Sequence, residues 1–80
     1  MEQDLEKLSQ MIANVLNVDP REVTMETTFM EDLGADSLDV FQIVAEIEEE
    51  YHIQITEEQA SKITTVGEAI RLIHQCIEQA

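Results

Sequence analysis

Ser37 stands in the stretch Glu31-Asp32-Leu33-Gly34-Ala35-Asp36-Ser37-Leu38-Asp39-Val40, among carboxylates, close to a glycine and at the edge of an apolar run. A serine in such company can be a nucleophile, part of a cation loop, a helix cap or a point of covalent attachment. Serine hydrolysis needs a base within hydrogen-bond reach and an oxyanion hole. The histidines of the chain are His52 and His74. His52 lies about four turns along the element that follows Ser37. The sequence Gly34-Ala35-Asp36-Ser37-Leu38 also lacks the Gly-x-Ser-x-Gly elbow. A calcium loop opening at Asp32 fails as well. Its third position is Gly34, its sixth is Ser37 where glycine is required, and its twelfth is Ile43 rather than glutamate. The acidic surface can gather cations as counter-charge, with no specific metal site defined.

A cap and an attachment point remain. Asp36 has the type and place of an N-cap, and Asp39 falls three residues on, in the first turn where negative charge is favourable. Ser37 is then a first-turn residue behind that cap. The same place suits a phosphate ester, because free N–H groups and the helix dipole favour an attached phosphate. Gly34 and Ala35 form a low wall that lets a bulky enzyme reach the hydroxyl. These residues permit a modification without demanding one.

The elements that must position Ser37 follow from spacing. Leu5, Leu8, Ile12, Val15 and Leu16 recur at helical intervals and predict a helix over roughly residues 3–16. Asp19-Pro20 has the form of a cap followed by proline in a first turn. Residues 17–35 read as a long connection with apolar anchors at Val18, Val23, Met25, Phe29, Met30 and Leu33. A second helix starts near Ser37 and runs to about Tyr51. Thr56-Glu57-Glu58-Gln59 predicts a capping box that opens a short third helix, and Thr65-Val66-Gly67-Glu68 predicts the same for the last. In the last helix Val66, Ala69, Ile70, Ile73 and Ile77 form the apolar stripe. Cys76 lies beside that stripe, as a small core or edge residue, and His74 falls off it toward solvent. No convincing strand pattern occurs; Ile53-Gln54-Ile55 is the nearest. The expectation is an all-α bundle of three main helices and one short helix.

At about 100° per residue, Val40, Val44, Ile47 and Tyr51 share one side of the second helix, with Ile43 beside them. That side must face the core. Leu38, Phe41 and Ala45 fall roughly opposite, bordered by Gln42, Glu48 and Glu49. A core helix needs one apolar stripe, so the second stripe reads as a docking surface next to Ser37. Packing of Phe41 under the long connection or against the third helix is the alternative.

Composition bounds the rest. Eighty residues make a single small domain (1–80), and 44% apolar with 4% aromatic residues calls for an aliphatic core. Eighteen acids against four bases give a net charge of −14. Between Arg21 and Lys62 there is no Lys or Arg, while that interval holds twelve of the eighteen acids. Such a field repels nucleic acid and anionic membranes and steers toward basic protein surfaces. One cysteine excludes an internal disulfide and suits a reducing compartment. With no signal-peptide character at the start and no run of membrane-spanning length, the chain reads as cytoplasmic, uninserted and monomeric.

Leu33-Gly34-Ala35-Asp36-Ser37-Leu38-Asp39 resembles the phosphopantetheine attachment motif of acyl carrier proteins. The likeness extends over Val18–Tyr51, and Ile55–Ile73 resembles the third and fourth helices of that family. The resemblance implies that Ser37 accepts 4'-phosphopantetheine from coenzyme A. A separate magnesium-dependent phosphopantetheinyl transferase would perform that step. Asp36, Leu38 and Asp39 match the flanking motif positions. The prosthetic thiol would then hold acyl intermediates as thioesters for fatty-acid or lipid biosynthesis. The carrier would do no bond chemistry itself, and so would not be an enzyme. Leu38, Asp39, Phe41, Gln42, Ala45, Glu48 and Glu49 would meet basic patches on partner enzymes. Phe41, Gln42, Ala45, Glu46 and His52 depart from the commonest fatty-acid-synthesis pattern, which leaves a specialised polyketide or other acyl pathway open. The rival from a different class is an acidic helical adaptor without a prosthetic group.

Overall fold

The spacing of Leu5, Leu8 and Ile12 does wind into a helix. The computed structural model describes residues 2–79, with α1 over Glu2–Leu16, α2 over Ser37–Tyr51, α3 over Glu57–Ser61 and α4 over Val66–Gln79. Asn17 adopts a left-handed conformation (φ 59°) and its amide closes on the Ala13 carbonyl, which ends α1. A 3-10 turn over Pro20–Glu22 follows, capped by Asp19, whose carboxylate accepts the Arg21 amide at 2.9 Å. The expected all-α architecture is the observed one, and its helix starts follow the predicted caps. An isolated pairing of Thr28 with Thr65 is the only β-type contact among the described residues.

Leu8 and Ile12 of α1, Ile43 and Ile47 of α2, and Ile70 and Ile73 of α4 meet in one apolar centre. One aromatic side chain joins them. Phe29, 2% exposed, is the largest fully buried side chain, so the core is aliphatic around a single ring. Phe29 comes from the long connection, and its burial holds that segment against the helices.

Backbone pairing completes the attachment. The amides at a helix N-terminus lack intrahelical partners. At α4 the Val66 amide donates to the Thr27 carbonyl (3.0 Å) and the Gly67 amide to the Met25 carbonyl (2.8 Å). In return the Phe29 amide donates to the Thr64 carbonyl at 3.1 Å. The approach is close enough that a Cβ on residue 67 would sit 3.0 Å from the Met25 carbonyl oxygen, which accounts for glycine there.

Three expectations about exposure are corrected. Met30 is no anchor: it is 58% exposed, because its neighbour Phe29 takes the inward position. Ile77, placed on the α4 stripe, is 48% exposed and lies outside the buried cluster that Ile70 and Ile73 join. His74 does not simply face solvent. Its Nε2 lies 2.7 Å from Asp4 Oδ2 and links α4 to α1. Nearby, Lys7 reaches Glu50 at 3.1 Å and sits 5.3 Å from the centre of the Tyr51 ring, joining α1 to α2.

Two outcomes test this account. Phe29→Ala should cost about 3–5 kcal/mol in equilibrium urea unfolding, a large share of the stability of a small domain. The start of α4 should be acid-sensitive. Hydrogen bonds from the Thr64 hydroxyl first, and then from Thr65, hold the Glu68 carboxyl below its ordinary 4.5. A depressed folded pKa stabilises above the unfolded value, and that contribution is lost as pH falls through the folded value. Glu68→Gln should therefore unfold at lower urea than the unsubstituted chain at pH 7, with the two curves converging below about pH 4.5.

Candidate functional site

Ser37 sits where a rigid turn hands over to α2. Asp36 adopts an extended backbone (φ −93°, ψ −177°), and its Oδ1 accepts the Asp39 amide at 2.9 Å. Asp39 Oδ2 accepts the Asp36 amide at 3.2 Å, so the cap is reciprocal. Asp36 is thus the predicted N-cap. The return bond from Asp39 was not foreseen, because the usual capping box has Glu or Gln there. Ser37 takes no part in this exchange, and its side chain is exposed. The Ser37 and Leu38 amides have no backbone partner among the described residues.

The turn before the cap is tightly built. The Thr28 amide donates to Asp32 Oδ2 (2.8 Å), and the Asp32 amide returns to Thr28 Oγ1 (3.1 Å). The Gly34 and Ala35 amides close on the carbonyls of Met30 (3.1 Å) and Phe29 (2.9 Å). Gly34 has φ +69°, which a side chain would strain. Ala35 is buried. The backbone is therefore pinned two residues before the exposed hydroxyl.

Beside Ser37 opens an apolar groove of about 620 Å³ between α2 and α3. Its walls include Val40 and Val44 of α2, Ile55, Ala60 of α3 and Ile63. Val40 and Val44 belong to the stripe expected to face the core, and they do so by forming this wall. Neither His52 nor His74 lines the groove. His52 instead ends α2 in a left-handed conformation (φ 56°, ψ 46°), its amide donating to the Glu48 carbonyl.

The second apolar stripe of α2 is open to solvent. Leu38 is 77% and Phe41 60% exposed, and Gln42, Ala45 and Glu49 are exposed around them. Phe41 also lines the groove mouth, so it is not packed away under the long connection. Glu48 has a second occupation. Its Oε2 accepts the Ile55 amide at 2.8 Å and ties α2 to the segment leading into α3. Nothing in helical periodicity signals that bond, which spans seven residues across a helix end. A site with an exposed hydroxyl, a fixed backbone and a neighbouring apolar groove can hold a long phosphate-linked group and its apolar load.

Comparisons with known proteins agree with that chemistry. A family model described as a phosphopantetheine attachment site matches residues 6–73. The acyl carrier protein of Wolinella succinogenes is 48% identical over 66 residues, covering 82% of this chain and 87% of that one. The solved acyl carrier protein of Enterococcus faecalis superposes with a TM-score of 0.78 at 36% identity, covering 94% of this chain and 95% of that one. That of Thermotoga maritima gives a TM-score of 0.80 at 33% identity, covering 91% and 85%. With the motif, the fold and the relatives in agreement, the chain belongs to the acyl carrier proteins, the family that bears phosphopantetheine.

Proposed function

We propose that Ser37 is the residue that carries the phosphopantetheine, and that the chain acts as one carrier unit for acyl groups in fatty-acid or related lipid biosynthesis. The observation that supports this most directly is the exposed Ser37 hydroxyl at the first turn of α2, at the mouth of an apolar groove. When bound, the prosthetic group supplies a thiol for acyl attachment. The residues of the chain do the remaining work. The Ser37 hydroxyl offers the oxygen for the phosphate ester, and the unpartnered amides of the first turn, with the helix dipole, favour the phosphate charge. Val40, Val44, Ile55 and Ile63 provide apolar surface that can shelter part of the cargo, at about 0.8 kcal/mol per buried methylene.

In this reading a separate phosphopantetheinyl transferase makes the ester, and the carrier itself is not an enzyme. Leu38, Phe41 and Ala45 give the docking face its apolar centre. Gln42 and Glu49 give it a polar rim, with Asp39 and Glu48 contributing charge beyond their internal bonds. Acyl-handling partners bring basic patches to meet it. No described helix is long and apolar enough to cross a membrane. In this reading the carrier works as a monomer in the cytoplasm.

Intact-mass spectrometry tests the assignment. Incubation with coenzyme A and a phosphopantetheinyl transferase should add the mass of one phosphopantetheinyl group, and Ser37→Ala should abolish the gain. An unchanged mass under several transferases would favour the acidic adaptor instead.

A further inference from the structure

Four large apolar side chains are well exposed among the described residues: Met30, Leu38, Phe41 and Ile77. Single exposed apolar residues are ordinary. Three of these four, however, gather about one point. Met30 and Phe41 line the same groove as Ser37, from opposite elements, and Leu38 follows Ser37 directly. Ile77 lies far along α4 and lines no part of it.

Met30 is not exposed because its segment is slack. Phe29 is sunk in the core immediately before it, and the Met30 carbonyl is fixed by the Gly34 amide at 3.1 Å. The Thr28–Asp32 exchange closes the same turn. The chain thus holds a flexible, polarisable apolar side chain outward on a rigid mount. Around it stand carboxylates: Glu31 beside it, and Glu48 and Glu57 across the groove. No Lys or Arg interrupts the segment from residue 22 to residue 61.

We propose that Met30 is a docking residue, and that the partner surface spans from α2 onto the preceding turn. Resting on the carrier reading above, its occupant is the basic-rimmed, apolar-centred face of a partner enzyme, in the first place the phosphopantetheinyl transferase. Charge complementarity selects that occupant: the charged residues lining the groove are all acidic (Glu31, Glu48 and Glu57) and Met30 and Phe41 supply an apolar centre, where interface anchors sit. Methionine suits the position because its unbranched thioether adapts to more than one partner.

Loading of the apo chain by a phosphopantetheinyl transferase isolates docking, since neither prosthetic arm nor acyl cargo is yet present. With coenzyme A saturating, Met30→Ala should raise the KM for the carrier about five- to tenfold. Its kcat and melting temperature should stay unchanged. Met30→Leu should restore the KM to within about twofold, and Ile77→Ala, an apolar deletion elsewhere on the surface, should leave it unmoved. A KM for Met30→Ala equal to that of the unsubstituted chain overturns the docking role while leaving Ser37 loading intact. Equal rises in Met30→Ala and Ile77→Ala overturn it too, as a non-specific effect. Failure of the unsubstituted chain to load at all overturns the Ser37 assignment and the docking role together.

Discussion

The position of Ser37 depends on a connection that must be held against its own charge. The segment from residue 22 to residue 39 carries six carboxylates and no base, so nothing electrostatic draws it onto the rest of an acidic chain. What holds it is the burial of Phe29, together with backbone pairing to the start of α4. The two act on adjacent residues. Burial supplies a non-directional pull, and the hydrogen bonds from Val66 and Gly67 fix the register. They also satisfy amides that α4 would otherwise leave open. The same contacts then set the path through Ala35 to the cap at Asp36.

The parts of this structure that are local in sequence were legible there. Asp36, Thr56 and Thr65 each bond a residue three positions on, and those residue types at that spacing are enough to read a helix start. The motif around Ser37 was legible through its resemblance to a known family, since spacing alone left a cap and an attachment point both open. The parts that were missed join distant residues. Asp4 meets His74 across 70 positions, a pairing that periodicity cannot supply. Glu48 is expected on the docking face beside the second stripe, yet one oxygen is committed to the Ile55 amide. Met30 was read with its apolar neighbours as an anchor, because composition cannot say which of two adjacent side chains turns inward. The backbone direction at Phe29 decides it.

Two of the four cations brace the fold rather than neutralise it. Lys7 joins α1 to α2 through Glu50 and the Tyr51 ring, and Arg21 closes on Asp19 within one turn. Exposed pairs of this kind contribute little to stability. Both lie on α1 or the turn just after it, so neither offsets the acids around the groove. Lys62, between the groove residues Ser61 and Ile63, is the base nearest to it in sequence, and the field there is screened over roughly 8–10 Å at ordinary salt.

The far wall of the groove is a helix of five residues, Glu57–Ser61. A helix that short cannot sustain itself by propagation. It persists through the Thr56–Gln59 cap, the packing of Ile63 just beyond it against the core, and the tether from Glu48 to Ile55. Rearranging it therefore disturbs one helical turn, while the three long helices keep their contacts. In a native ensemble, segments of low local stability open first. The groove is accordingly walled on that side by the element whose opening disturbs the least of the fold.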